Sequence, residues 1–310
     1  KRILYSKIED FKYQLEEDPE VMDLNIPTNI SEMIRQEDAD CNIFATVVDT
    51  TKSSGFFTCQ ILCPSKADPR IVIHCTQKRF KKRQCKLKIR WMVIGYDINF
   101  NYKFLDHNYQ LDVRKSDVSV NASTKFYNKS LDIMPVTTKR NLFVGIPTLS
   151  TLDSSNKRLI IGHHFVNTQG NKTQAYVFSY CSEKNSYDNL PSFTFYTLVI
   201  SNYNNPKTYG TLQFKNSYLF KKPYIEFCKD SLKPKYVSLC SMEENKNGPI
   251  FLKQTIYKIR IKDINCKTGL RWSKYAVSRF LAILRILHSC ITMAEDNTIT
   301  GRVTIISVSL

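Results

Sequence analysis

The sequence predicts a mainly β protein, and three observations carry that reading. Short runs rich in β-branched and aromatic residues recur between Ser/Gly, Pro and Asp/Asn breaks. From residue 42 to 120 five such runs follow one another with no helical stretch between them. Hydrophobic residues make up 42% of 310 positions, enough to bury a sizeable core.

Residues 1–37 are acidic and mixed, and apolar spacing predicts helix at 8–15 and around 30–35, an N-terminal helical extension. Strands are predicted at 42–49, 56–63, 70–75, 86–98 and 109–120. Five strands in so short a span match a Greek-key barrel of the OB type, with the long fourth segment curling as barrel strands do. That assigns 38–120 to an OB-fold domain. The polar stretch 121–140 reads as a linker. Beyond it, strands at 142–146, 158–166, 175–179, 193–201, 210–219, 224–227, 256–261 and 302–308 predict a second β-rich, OB-like domain over 141–310. One long helix is expected at 271–293, where Val277, Phe280, Leu281, Leu284, Leu287 and Ile291 share a face.

The charge balance is strongly basic, with 45 Lys and Arg against 28 Asp and Glu, a net +17. Such a chain suits an anionic partner, nucleic acid or an acidic membrane surface. Seventeen Tyr and eighteen Phe favour nucleic acid, because flat rings stack on unpaired bases. The longest apolar run, 280–293, is broken by Arg285 and His288 and is too short to span a bilayer, so no membrane insertion is expected.

The cations concentrate between 71 and 90. Eight of the thirteen residues from Lys78 to Arg90 are Lys or Arg. Lys86, Lys88 and Arg90 fall on one face of a strand and Leu87, Ile89 and Trp91 on the other. A strand with one cationic and one apolar face is packed on one side and aimed at an anion on the other. Lys78, Arg79, Lys81, Lys82, Lys86, Lys88 and Arg90 are the phosphate-contact candidates. Phe57, Phe80, Phe100 and Tyr102 are candidate stacking rings, whereas Phe44 and Trp91 read as core.

Chemistry is not expected. With nine glycines, the chain holds no G-x-G-x-x-G, no G-x-x-x-x-G-K-[ST], no G-x-S-x-G and no H-E-x-x-H. A non-enzyme without a cofactor follows. Ten cysteines include Cys59, Cys63, Cys75 and Cys85 but no C-x-x-C pair, so neither zinc nor a disulfide framework is expected. The charged start, Lys1-Arg2-Ile3-Leu4, lacks an apolar leader, and a reducing, nuclear compartment fits these features.

Several segments resemble telomere end-binding proteins over about residues 38–115. The run 42–52, Asn-Ile-Phe-Ala-Thr-Val-Val-Asp-Thr-Thr-Lys, is similar to the opening OB strand of that family. Gln60-Ile61-Leu62-Cys63-Pro64-Ser65 resembles its Lys-Ile-Val-Asp-Pro-Thr, with Cys63 in place of Asp. Ile71-Val72-Ile73-His74 leading to Lys78-Arg79-Phe80, and Lys88-Ile89-Arg90-Trp91 through Tyr96, resemble its third and fourth strands. The turn at Ser53-Ser54-Gly55 is short, and Gln84-Cys85 stand where the family has Gly-Asp. The resemblance implies a groove holding G-rich single-stranded DNA at chromosome ends, with His74 and Tyr96 stacking on bases and Lys52 touching the strand. Two other readings stay open. One is a viral matrix or movement protein that binds RNA or acidic lipid with little selectivity. The other is a β-ribbon reader of duplex DNA with a metal at the Cys59–Cys85 cluster.

Overall fold

The computed structural model describes residues 1–14, 19–51, 55–64, 68–76, 84–98, 109–119, 128–135, 141–168, 172–184, 186–201, 209–212, 215–217, 221–226, 235–241, 250–256, 258–263 and 301–306. Among them the chain is mainly β, with strands gathered into four sheets and one α-helix.

The first sheet has the order β1-β6-β3, with β1 at Arg2–Gln14, β3 at Asn42–Asp49 and β6 at Gln84–Gly95. β1 corrects the helix expected at 8–15. Ile8, Phe11 and Leu15 mimic a helical stripe, but Lys7, Glu9, Phe11 and Tyr13 stand opposite Trp91, Ile89, Leu87 and Cys85 in an antiparallel ladder. Trp91 is fully buried, meets Tyr5 at 5.2 Å between ring centroids and donates its indole N–H to Glu9 at 3.0 Å. A period of two satisfied by β6 overrides a marginal helical period. The helix expected around 30–35 is present as α1, Thr28–Ile34, which buries Ile30 and Met33.

The second sheet has the order β2-β5-β4-β9-β13-β7. Its strands are β2 at Glu20–Asp23, β4 at Phe56–Leu62, β5 at Arg70–Thr76, β7 at Gln110–Val118, β9 at Leu142–Leu149 and β13 at Phe193–Ser201. Both faces of its middle strands β4, β5 and β9 are buried. Phe57, Ile61, Ile71, Ile73, Val144, Ile146, Leu198 and Ile200 join one core with the first sheet. Leu62, Val72, Phe143, Leu149, Phe193 and Phe195 join a second core on the opposite face. Near-continuous apolar runs such as Phe56–Leu62 are what burial on both faces requires.

The third sheet supplies the other wall of that second core. Its order is β12-β11-β10-β17-β20-β14, and β8 pairs with β11. The strands are β8 at Asn128–Pro135, β10 at Leu159–Thr168, β11 at Lys172–Cys181, β12 at Ser186–Tyr187, β14 at Tyr209–Leu212, β17 at Tyr236–Ser241 and β20 at Gly301–Ile306. The fourth sheet, in the order β15-β16-β19-β18, comprises Lys215–Ser217, Lys221–Glu226, Lys258–Asp263 and Ile250–Gln254. Phe251 of β18 docks it against Phe56, Phe178 and Tyr180, with centroids 5.1–5.9 Å apart.

These pairings correct the separate OB barrel expected over 38–120. β3 pairs with β6 and β4 with β5, as an OB strand order would have it. However, β7 pairs with β13, and β4 runs parallel to β9 through Ile61↔Thr148 and Leu62↔Leu149. A strand buried on both faces has no solvent side to offer a barrel exterior. The linker expected at 121–140 and the domain boundary there are corrected as well. β8 lies inside it with Leu131 and Ile133 buried, and one sheet joins residues from both sides. The helix expected at 271–293 lies outside the described residues.

Candidate anion-binding face of strand β6

β6 alternates as its letters require. Leu87, Ile89 and Trp91 face the core, while Lys86, Lys88 and Arg90 share the opposite face. That face has two different ends. Lys86 is exposed, Lys88 is half-exposed, and Arg90 retains only 3% of its surface.

β17 covers the inner end. The Arg90 guanidinium carbon lies 5.8 Å from the centroid of the Tyr236 ring, and Thr46 donates its hydroxyl to the Lys235 carbonyl at 3.1 Å. Burial raises the Tyr236 hydroxyl pKa above its ordinary range, with the Arg90 charge opposing the shift. Arg90 is thus a core cation, which corrects its assignment to phosphate contact.

The outer end is formed with β1. The register sets Asp10 opposite Lys88, Lys12 opposite Lys86 and Gln14 opposite Gln84. Lys88 approaches Asp10 at 3.3 Å, an exposed ion pair of small net value. Lys12 and Lys86 are both exposed. Lys12 was hidden in the sequence by the helical reading of its segment; the alternation of Lys7, Glu9, Phe11 and Tyr13 with Ile8, Asp10 and Lys12 was the signal that could have found it.

The other expected site residues scatter. Phe57 is 5% exposed and packs edge-on against Tyr13 at 5.3 Å, so it belongs to the core and offers no face to a base. His74 is 2% exposed on the β5 face turned toward β10, again a correction to a stacking role. Gln60 bridges there: its amide nitrogen lies 2.7 Å from His74 Nε2 and donates to the Leu159 carbonyl at 3.2 Å, while its oxygen accepts the Ile161 N–H at 2.8 Å. Burial lowers the His74 pKa to about 3 and keeps the ring neutral. Tyr96 is half-exposed, with the Lys1 ammonium 5.0 Å from its ring centroid. It stands eight residues beyond Lys88, about 26 Å along an extended strand, so the two do not share a site. Lys52, Lys78, Arg79, Phe80, Lys81, Lys82, Phe100 and Tyr102 lie outside the described residues.

One serine–histidine contact went unseen in the sequence. Ser238 Oγ lies 3.1 Å from His163 Nε2 and accepts the Gly145 N–H at 3.2 Å. Ser238 is 1% exposed, and among the described residues no carboxylate bonds to His163. The arrangement ties β9, β10 and β17 together beside a cavity of about 100 Å³ that Thr46, Phe57 and Gln254 also line. Among the described residues no group of three or more His, Cys, Asp or Glu could hold a metal, and Cys59, Cys75 and Cys85 are buried. Burial pushes the Cys59 thiol up to about 12, far from the thiolate that binds metal. No described helix is long and apolar enough to cross a membrane.

A family described as a domain of unknown function, DUF7431, matches residues 3–270. The chain belongs to the DUF7431 family. The matched span begins in β1 and runs past β19, so the family's domain takes in β1, β6 and the strand that covers Arg90. Searches of curated proteins and of solved structures found no match.

Proposed function

We propose that this DUF7431 chain is a non-enzymatic binding protein for single-stranded nucleic acid, held by its phosphates at the outer end of β6. The observation that carries the reading is the row of exposed Lys12 and Lys86 and half-exposed Lys88 on an ordered two-strand ladder, in a chain of net charge +17. From Gln84 the chain continues directly back into 78–83, which adds five cations and no acid. Backbone recognition of this kind needs positive charge at fixed spacing and releases condensed counterions, so affinity falls steeply with salt.

The resemblance implied G-rich, telomere-type selectivity. It called for an OB groove in which His74 and Tyr96 stack on bases, and His74 is buried while Tyr96 stands far from the lysines. The proposal therefore expects charge-led binding with modest base preference.

Competition among labelled oligothymidylate, a G-rich single strand, the matching RNA, a duplex and acidic phospholipid vesicles tests this. The reading expects single strands to win, with affinity falling as salt rises. Equal or better binding of duplex or vesicles would overturn it.

A further inference from the structure

Lys12 and Lys86 stand directly opposite each other across the antiparallel β1–β6 ladder, and both are exposed. Directly opposed residues hold their Cβ atoms about 5 Å apart, and like charges in that relation repel. The neighbouring pair on the same face is compensated, because Asp10 meets Lys88 at 3.3 Å. The next pair outward, Gln14 and Gln84, is neutral. On the other flank the Lys86 carbonyl accepts the Thr50 N–H and hydroxyl at 3.1 and 2.7 Å, so the β3 neighbour brings no charge. Asp49 turns inward, bonded by Thr51 at 2.8–2.9 Å and facing Lys253 at 3.9 Å. Among the described residues, no acid neutralises either Lys12 or Lys86.

From this geometry we propose that Lys12 and Lys86 form a two-ammonium subsite for one phosphodiester group of the strand. The proposal rests on the nucleic-acid reading above. The ladder fixes both stems, and two ammoniums on four-carbon stems converge on a single anion without backbone movement. The repulsion that the free protein carries here is relieved when the anion arrives, which places binding energy at this pair rather than at the compensated Lys88.

Lys12→Glu separates a subsite from an idle pair. It sets a carboxylate opposite Lys86, converting a repelling pair into an attracting one, so the melting temperature should hold or rise. Oligothymidylate binding should nevertheless weaken. The plot of log affinity against log salt should flatten by about 0.7, since one ammonium is lost, the other is occupied and the contact with that one phosphate goes. Lys12→Ala should flatten it by less than that, because Lys86 still holds the phosphate. Lys129→Glu, an exposed lysine on β8, changes net charge equally and should leave the slope as in the wild type. If the wild type binds but Lys12→Glu matches Lys129→Glu, the subsite is wrong and the nucleic-acid reading stands. If the wild type does not bind oligothymidylate at all, the reading itself fails and the subsite falls with it.

Discussion

The two ends of β6 carry the same pattern and meet different fates. At the outer end Lys86 and Lys88 face solvent; a few residues on, Arg90, Met92 and Ile94 occupy the same face and are buried. What separates them is β17, which arrives from nearly 150 residues away to lay Tyr236 against Arg90. Alternation along a strand says which side chains share a face. It does not say whether that face meets water, because the covering element is written elsewhere in the chain.

Acid should separate the two regions most strongly. His74 and His164 are buried and His163 is part-buried, with pKa values lowered to about 3, 4 and 3 respectively by desolvation. Unfolded histidines titrate near 6.5, so between those values the unfolded chain binds more protons and stability falls as pH drops. Each histidine should cost at most about 2 kcal/mol of stability by pH 5. Denaturant unfolding at pH 7 and pH 5 checks this; equal stability at both would place the imidazoles in contact with water.

Arg90→Ala should cost about 3 kcal/mol, from lost stem packing and the desolvated contact with Tyr236. Chemical denaturation measures it, and a loss below about 0.5 kcal/mol would mean that β17 does not cover this end. Asp10→Asn should act on the other end. It removes the partner of Lys88, changing stability by less than about 1 kcal/mol while tightening single-strand binding and steepening the salt slope by up to about 0.7. Unchanged affinity would show that Lys88 takes no part. The smallest effect belongs to Tyr96→Ala: about 0.5 kcal/mol of stability from its exposed contact with Lys1, and unchanged binding. A binding loss of 1–3 kcal/mol, the size of one stacking contact, would bring Tyr96 back into the site.

Much of the local structure was legible. Asn42–Asp49 and Phe193–Ser201 form strands over the expected residues, because long β-branched and aromatic runs leave little competition. β8 was not: its polar letters read as linker, although Leu131 and Ile133 alternate with exposed Ser130 and Asp132 in the strand period. The assignments that failed depend on distant partners. Thr58, His74 and Gln60 look like the polar face of a barrel strand until β10 covers it and takes the Gln60 amide as its cross-link. Likewise the parallel pairing of β4 with β9 has no local signature, since no turn connects them. Lys86 and Lys88 keep access to solvent, whereas Arg90, with the same spacing, is covered by β17.

The most direct test compares the two cations that one strand places on one face. Log affinity for oligothymidylate should be measured against log salt for the wild type, Lys86→Ala and Arg90→Met, the last keeping a long apolar side chain under Tyr236. The account predicts that Lys86→Ala flattens the slope, by up to about 0.7, and that Arg90→Met follows the wild-type line. A flattened slope for Arg90→Met with no change for Lys86→Ala would contradict it.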